Sequence, residues 1–331
     1  MIDIAPRGVA KLVLAGASFR PERAAWRARF HTSLLAHRAL SGTLARRLKT
    51  CGDDFDLALQ IGGWMSRQPR PYALYVDQSR LMAERGWPEW MPLSSRGRGR
   101  ILELERQMYT EAAHILVMGA SARDSLIAEY GVDPARITIA GGGLNFDRMP
   151  VACGPAASPT ITFVGRDFER KGGDCLLRAF ALVREELPSA ALQLVGVGRR
   201  IEQPGVVSIG KVHSRERLAE LYRSTRAFAS PSRYEPWGLA FVEAMAHGLP
   251  CVGTTVQSIP EILDHGQAGL LVPPDEEEPL AQALLRLMRD DDLARSIGEA
   301  ARRRVEGSLT WDHVAERVAP ALAAAAAAPV A

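Results

Sequence analysis

Lysine, cysteine and long apolar runs are all scarce in this chain, and each shortage narrows what it can be. The four cysteines, Cys51, Cys153, Cys175 and Cys251, are scattered, with no C-x-x-C pair and no histidine at ligand spacing. That pattern excludes a zinc ribbon or a disulfide scaffold and fits reduced thiols in the cytoplasm. No apolar run reaches the length of a membrane span, and the first residues lack the layout of a signal peptide. None of the seven histidines stands at H-x-x-x-H spacing, and no Ser-His-Asp or Cys-His order can be singled out. Hydrolase and metalloenzyme chemistry are therefore unsupported. Lys11, Lys49, Lys171 and Lys211 are the only lysines among 41 basic residues, so a lysine is a rare choice here.

At 331 residues the chain exceeds what one core usually serves, and two domains are expected. A hydrophobic fraction of 47% and a charged fraction of 24% are those of an ordinary soluble globular protein. The net charge of +3 is unevenly shared: residues 1–150 carry 21 basic against 15 acidic side chains, and the remainder 20 against 23. The first half is therefore expected to face something acidic, such as a membrane surface, and no nucleic-acid partner is expected.

Val9–Ala15 reads as a strand and Arg20–Lys49 as a long helix, with Trp26, Phe30, Leu34, Leu40, Leu44 and Leu48 at three-to-four spacing among arginines. Such a helix either lies on anionic lipid or packs its stripe on a sheet and solvates its arginines. Strands over Asp56–Ile61, Tyr72–Val76, His114–Met118 and Arg136–Ala140 then alternate with helices over Gly99–Ala113 and Ser121–Tyr130. This order implies an α/β class with doubly wound, mainly parallel sheets, whose ligands sit beyond the carboxyl ends of the strands. Gly62, Gly63 and Asp77 are placed there as a candidate acceptor cleft, with Gly141 to Gly143 beside them; Asp77 could equally be a capping turn residue.

Asn145–Pro159 has no periodicity and is rich in Pro, Gly and Ala, so residues 145–159 read as a linker between a first domain, 1–144, and a second, 160–310. Alternation restarts with strands Thr160–Val164, Ala191–Val195, Val206–Ile209, Ala227–Ser230, Cys251–Gly253 and Gly269–Val272. Helices are expected over Gly173–Leu187, Arg215–Arg223, Leu239–Ala246, Pro279–Arg289, Leu293–Val305 and Trp311–Ala319. Residues 311–331 form a last helix, expected to stop at Pro320 and to cross back to the first domain, and an alanine-rich tail.

Two stretches carry the chemistry. From Leu239 to Ala246 only Glu243 is polar, so a carboxylate is expected on a buried helix; Pro236 and Gly238 set up its start, where free N–H groups make an anion site. Glu235 stands in the loop before it. The loop Gly165–Gly173 leaves a strand and enters a helix, with Arg166 and Lys171 as cations and glycines that let backbone approach a diphosphate. It could instead be a solvated loop in which Asp167 and Glu169 pair with Arg170, but the rarity of lysine favours a function for Lys171. Gly196-Val197-Gly198 is a weak G-x-G with no third glycine and reads as a turn at a strand end.

Phe163-Val164-Gly165-Arg166 with Lys171-Gly172, Ser230-Pro231-Ser232 to Glu235 and Gly238, Glu243-Ala244-Met245-Ala246 with Gly248 and Pro250, Pro260-Glu261, and Gly269 to Val272 resemble, in order, the C-terminal domain of retaining GT-B glycosyltransferases of family four (glycosyl transferases group 1). The resemblance implies two Rossmann-like domains with a cleft between them, and a hexose transferred from a nucleotide diphosphate sugar to an acceptor hydroxyl with retention. It implies no metal and no cofactor beyond the donor. Gly165, Gly196, Pro236, Trp237 and the backbone at Gly238 and Leu239 would line the donor site, with Arg166 and Lys171 on the diphosphate. Glu243 would anchor the ribose and Glu235 would orient the transferred sugar and stabilise charge at its ring.

The chain also departs from the pattern. Gln257-Ser258 stands where many relatives have two glycines, Asp77 where many have histidine, and the first 60 residues show no glycine-rich loop. Either Gly62-Gly63 replaces that loop or the chain starts inside the usual domain. The alternatives are a nucleotide-sugar epimerase on the same scaffold and a non-catalytic nucleotide-sugar-binding subunit. The acceptor is expected to be a glycan, a lipid-linked molecule or a small molecule, with peripheral membrane contact through Arg20–Lys49.

Overall fold

The computed structural model describes residues 33–51, 55–62, 71–90 and 95–327, with a few isolated positions ahead of them. Residues 9–14 of the expected first strand, residues 22–32 of the expected basic helix, and Gly63 lie outside the described residues. The chain divides into two units, Met1–Ala140 with Glu316–Ala331, and Gly141–Ala315.

In the first unit, strands β1 (Ala58–Ile61), β2 (Tyr72–Val76), β3 (His114–Val117) and β4 (Ile137–Ile139) pair in that order, all parallel. The β2 sequence Tyr-Ala-Leu-Tyr-Val is buried at every position, as a central strand covered on both faces should be. Helix α1 (Leu34–Thr50) starts where the Ser33 hydroxyl accepts from the Ala36 N–H. Its Leu44 and Leu48 bury with Phe55, while Arg38, Arg46, Arg47 and Lys49 are exposed. Helix α2 (Arg80–Gly86), which periodicity did not reveal, is capped by Ser79 accepting from Met82 N–H. Helices α3 (Ser95–Glu111) and α4 (Ala120–Tyr130) complete the layer, α3 packing against α1.

The second unit holds six parallel strands, β5 (Thr160–Val164), β6 (Ala191–Val195), β7 (Val206–Gly210), β8 (Ala227–Ser230), β9 (Cys251–Thr254) and β10 (Leu270–Val272), in the order β10-β9-β8-β5-β6-β7. The order turns back on itself between β5 and β8, which makes the carboxyl ends of those two strands the topological switch point. Helix α5 (Gly173–Glu186) follows β5, α6 (Arg215–Arg223) precedes β8, and α7 (Leu239–Ala246) follows it. Further on are the short α8 (Ile259–Ile262), then α9 (Glu277–Arg289) and α10 (Asp291–Ser308). Residues 145–159 lie within this unit: Cys153 and Gly154 N–H groups donate to the His247 carbonyl, Ala156 N–H to that of Thr225, and Arg302 holds Pro150 O at 2.7 Å.

The last helix, α11 (Trp311–Ala327), corrects one expectation, for it runs through Pro320 instead of stopping there. Pro320 and Glu316 are exposed, so the carbonyl that loses its N–H partner stays in water, and the alanines beyond have the highest helix propensity. From Glu316 on, this helix clusters with the first unit, where Arg317 Nε donates to Ala140 O at 2.8 Å.

Candidate active site at the switch point

The loops leaving β5 and β8 meet because neither leaves room for the other to move. Gly172 adopts φ +67, and a Cβ there would come within 1.9 Å of Pro231 O, so only glycine lets α5 begin against the second loop. A Cβ on Gly165 would come within 2.4 Å of Lys171 Cδ: the lysine stem lies across bare backbone. Gly196, at the end of β6, has φ +88 and sits with its Cα side against Gly165 O, beside the Arg166 stem.

This packing brings Lys171 to Glu235. The ammonium donates to Oε2 at 2.6 Å, and both side chains are largely withdrawn from solvent. A pair so placed contributes little net stability, because desolvation offsets most of the attraction, but its partners are held in a fixed relation. Ser232 Oγ donates to the same oxygen at 3.4 Å. Arg170, buried, donates to Tyr234 O at 2.6 Å, pairs with Asp167 at 3.1 Å and approaches Glu235 at 3.8 Å. The pairing weighed for Asp167 and Arg170 therefore exists, but it braces the loop from beneath and leaves Lys171 for Glu235. Arg233 locks the outer edge, donating to Glu169 O and to both oxygens of Asp174, and pairing with Asp275. These contacts hold the Asp174 carboxyl down at about 2.

Arg166 is exposed and makes no ion pair among the described residues. It lines a cavity of about 320 Å³ with Phe168, Val197 and Arg199, whose guanidinium lies 5.2 Å from the Phe168 ring centre. Gln257 and Ser258 are tied into the site. Gln257 Oε1 accepts from the Glu235 N–H at 2.9 Å, and Ser258 Oγ donates to Pro236 O at 2.7 Å.

Helix α7 begins at Gly238 without a side-chain cap, and Leu239 in its first turn is 42% exposed. Its free N–H groups face no side-chain acceptor of their own cap. Trp237 is buried, and its indole abuts Gly142, where a Cβ would fall 2.4 Å from Nε1. Gly143 packs in the same way on Trp311. Glu243 is half-buried, not enclosed as the apolar run suggested. Burial pushes its carboxyl upward, while Arg215, the Tyr222 hydroxyl and Lys171 pull it down. His247, one turn on, is buried, with Nδ1 2.8 Å from Glu243 O and its ring tilted against that of Tyr222, centroids 4.8 Å apart.

In the first unit, Gly62 (φ +85) follows β1 and its N–H donates to Tyr75 O at 2.8 Å; Asp77 follows the paired strand β2, so both stand at carboxyl ends of neighbouring strands. Tyr75 is buried, which pushes its hydroxyl up to about 12. Arg170, Ser232 and Gln257 entered the sequence reading as a possible partner of Asp167, as a motif serine and as a departure from the family pattern, but not as neighbours of Glu235, and His247 was not singled out at all.

A parallel sheet reversing at β5/β8, with a glycine-stripped loop, a lysine–carboxylate pair and an uncapped helix at that point, defines an α/β architecture of the GT-B kind. Residues 158–290, most of the second unit, match the family described as Glycosyl transferases group 1. The chain is 29% identical over 238 residues to the D-inositol 3-phosphate glycosyltransferase of Rhodococcus opacus, a match covering 64% of this chain and 53% of the relative. The chain thus spans about half the length of that relative. Among solved structures it shares the fold of WaaG, a glycosyltransferase involved in lipopolysaccharide biosynthesis (TM-score 0.65, 19% identity, 92% of this chain and 84% of that one). It also shares that of Anabaena HepE in complex with UDP and glucose (TM-score 0.66, 18% identity, 85% and 81%).

Proposed function

We propose that the protein is a glycosyltransferase that moves a hexose from a nucleotide diphosphate sugar to an acceptor hydroxyl with retention of anomeric configuration. The observation that carries this is the Lys171–Glu235 pair held at 2.6 Å beside the glycine loop at the switch point. The family and the UDP and glucose bound by HepE support it.

In this reading the diphosphate lies between Arg166, Lys171 and the free N–H groups at the start of α7, where the backbone donors are already fixed. Charge grows on the leaving diphosphate as the glycosidic bond lengthens, so donors set in advance lower that barrier without reorganising. Lys171, shared with Glu235 at rest, moves its charge toward the diphosphate, and Glu235 is then released to hold sugar hydroxyls and face the positive charge at the ring. Glu243 takes the ribose hydroxyls. Gly165, Gly196 and Pro236 supply close backbone, and Trp237 acts by packing the loop on Gly142. The chemistry needs no metal ion or cofactor, and transfer should persist in excess chelator. The acceptor is a glycan or another hydroxyl compound, met by Gly62 and Asp77 of the first unit.

Glu235→Ala and Lys171→Ala should each lower transfer by about a hundredfold or more, as loss of a preorganised charge contact does. Unchanged turnover in both variants would end the assignment, and a product formed without any acceptor would point to an epimerase instead. A membrane-proximal acceptor is a further part of the proposal, since Arg38, Arg46, Arg47 and Lys49 line the exposed side of α1. Sedimentation with anionic vesicles should be lost in Arg46→Glu/Arg47→Glu; no sedimentation of the wild type at low salt would remove it.

A further inference from the structure

The two oxygens of Glu235 are unequally served. Oε2 gathers the side-chain donors: the Lys171 ammonium at 2.6 Å, the Ser232 hydroxyl at 3.4 Å and the Arg170 guanidinium at 3.8 Å. Oε1 has no hydrogen-bond partner among the described residues. The two cations on Oε2 are held in opposite ways. Lys171 reaches it on an unbranched stem that lies across the bare backbone of Gly165. Arg170 is buried, and its guanidinium is gripped at two further points, Nε on Asp167 Oδ2 at 3.1 Å and Nη1 on Tyr234 O at 2.6 Å. Its backbone is tied as well, for its carbonyl accepts from the Arg233 N–H at 2.9 Å.

In the donor-site reading the Lys171 charge passes to the diphosphate, which leaves Glu235 to be balanced by what remains. A buried carboxylate without a counter-charge takes up a proton. Once protonated, Glu235 could neither oppose positive charge at the sugar ring nor accept from hydroxyls with its full capacity. We infer that Arg170 is a positioning residue of the reaction: it is the fixed cation that keeps Glu235 charged, with Oε1 left for the sugar, while Lys171 serves the diphosphate. The inference rests on the donor-site reading and gives Arg170 a part beyond bracing its own loop.

An arginine suits this part for two reasons. Its guanidinium does not lose its proton in a protein, and its fork of N–H groups can hold Asp167 and Tyr234 O and still face Glu235. Gripped in that way it cannot follow an arriving anion, whereas a lysine stem can swing. Lys171 and Arg170, both from the β5 loop, are the charged groups within 4 Å of the Glu235 carboxylate among the described residues. Ser232 is neutral, and Gln257 meets the Glu235 N–H instead of the carboxylate. Asp167 shares Arg170 but is more exposed, so water screens its part of the charge more than that of Glu235.

Two measurements test the assignment. Lys171→Met imitates the state in which the ammonium has left, and carbon-13 NMR of labelled glutamates, with Glu235 identified by Glu235→Gln, reads the charge without any ligand. At neutral pH the Glu235 carboxyl signal should stay that of a carboxylate in Lys171→Met and move toward that of the acid in Lys171→Met/Arg170→Met. A signal that is the same in both overturns the inference. The second measurement is release of nucleoside diphosphate from UDP-, ADP- and GDP-hexoses, with water as the acceptor. Arg170→Met should lower kcat about tenfold with little change in donor KM, and the loss should grow as pH falls, because protonation of Glu235 is what the arginine opposes. Arg170→Lys should restore part of the rate and the wild-type pH profile. A loss equal at every pH, or none at all, also overturns the inference and leaves Arg170 a brace of the loop. If the wild type releases nucleoside diphosphate from none of the three donors, it is the donor-site reading that fails, while the carboxyl signal still decides whether Arg170 holds the charge of Glu235.

Discussion

Glu105 in the first unit and Glu235 in the second are exposed to nearly the same small degree, 4% and 7%, yet their partners differ in kind. Glu105 accepts from the Arg80 N–H at 3.2 and 3.3 Å, from the Tyr109 hydroxyl at 3.0 Å and from the Tyr130 hydroxyl. These donors come from α2, α3 and α4, so the carboxylate ties three helices together, and burial pushes it upward while Arg80 and the tyrosines pull it down. Glu235 has one short contact, to a lysine ammonium, and stands on a loop at the carboxyl end of β8. Each also has an arginine 3.8 Å away, Arg80 for Glu105 and Arg170 for Glu235, so the difference lies in the short contacts: backbone and hydroxyl donors from three helices make a brace, whereas a lysine ammonium at a strand end can turn its charge to a ligand. Burial alone does not tell the two apart; the company of the carboxylate does.

The largest test of this contrast lies at the loop contact itself. Gly172→Ala puts a Cβ at φ +67 and against Pro231 O, a backbone atom that cannot swing aside. The cost should be about 3 kcal/mol or more, the sum of a strained left-handed residue and a displaced loop. Urea denaturation gives the stability, and donor binding should be lost along with it. A variant of wild-type stability that still binds donor would mean that the two loops are not held by this contact.

Glu105→Gln should cost about 2 kcal/mol, since an amide presents a donor where Arg80 N–H needs an acceptor. Hydrogen exchange should rise in β2, β3 and α4 and stay unchanged in α5, and nucleotide binding should be untouched. The pH dependence has a definite sign. A carboxyl whose folded value is raised stabilises the fold below its unfolded value, and that contribution is lost as pH climbs through the raised one. The gap between wild type and Glu105→Gln should therefore be widest in acid and narrow above the ordinary carboxylate range. A gap that widens with pH would show Glu105 to be stabilised as the anion, more like Glu235 than unlike it.

Much of this contrast was legible beforehand in one unit only. Strand runs such as Thr160–Val164, the glycines after them, and the loop Gly165–Gly173 are local signals, and they placed Arg166, Lys171 and Glu235 at strand ends. What the sequence could not carry was anything decided by a neighbour brought across the sheet. Arg170 is a charge like Arg166 in the text, but it lies under the loop on Tyr234 O while Arg166 is exposed. Glu243 looked enclosed because its helix is apolar, yet its own face keeps solvent. Helix α2 is too short for a periodic signal, and Pro320 misled because an exposed proline in a run of alanines removes one hydrogen bond without ending the helix.

The smallest expected effect is at Gln257, and there two terms oppose each other. Gln257 holds φ +39, a conformation that favours glycine, and its side-chain carbonyl accepts from the Glu235 N–H at 2.9 Å. Gln257→Gly removes strain worth about 1 kcal/mol and also a hydrogen bond worth about 1 kcal/mol, so the melting temperature should barely move. The reaction should not be indifferent. With its amide released, Glu235 keeps Lys171 but loses the bond that fixes its own backbone, and turnover should fall about five-fold, some 1 kcal/mol of barrier, with little change in donor KM. Gln257→Glu keeps an acceptor at the same place and should recover most of the rate, provided that its added charge is screened at the loop surface. An unchanged turnover in Gln257→Gly would place the rigidity of Glu235 wholly in the Lys171 and Ser232 contacts, and would make the second unit's carboxylate freer still than the first's.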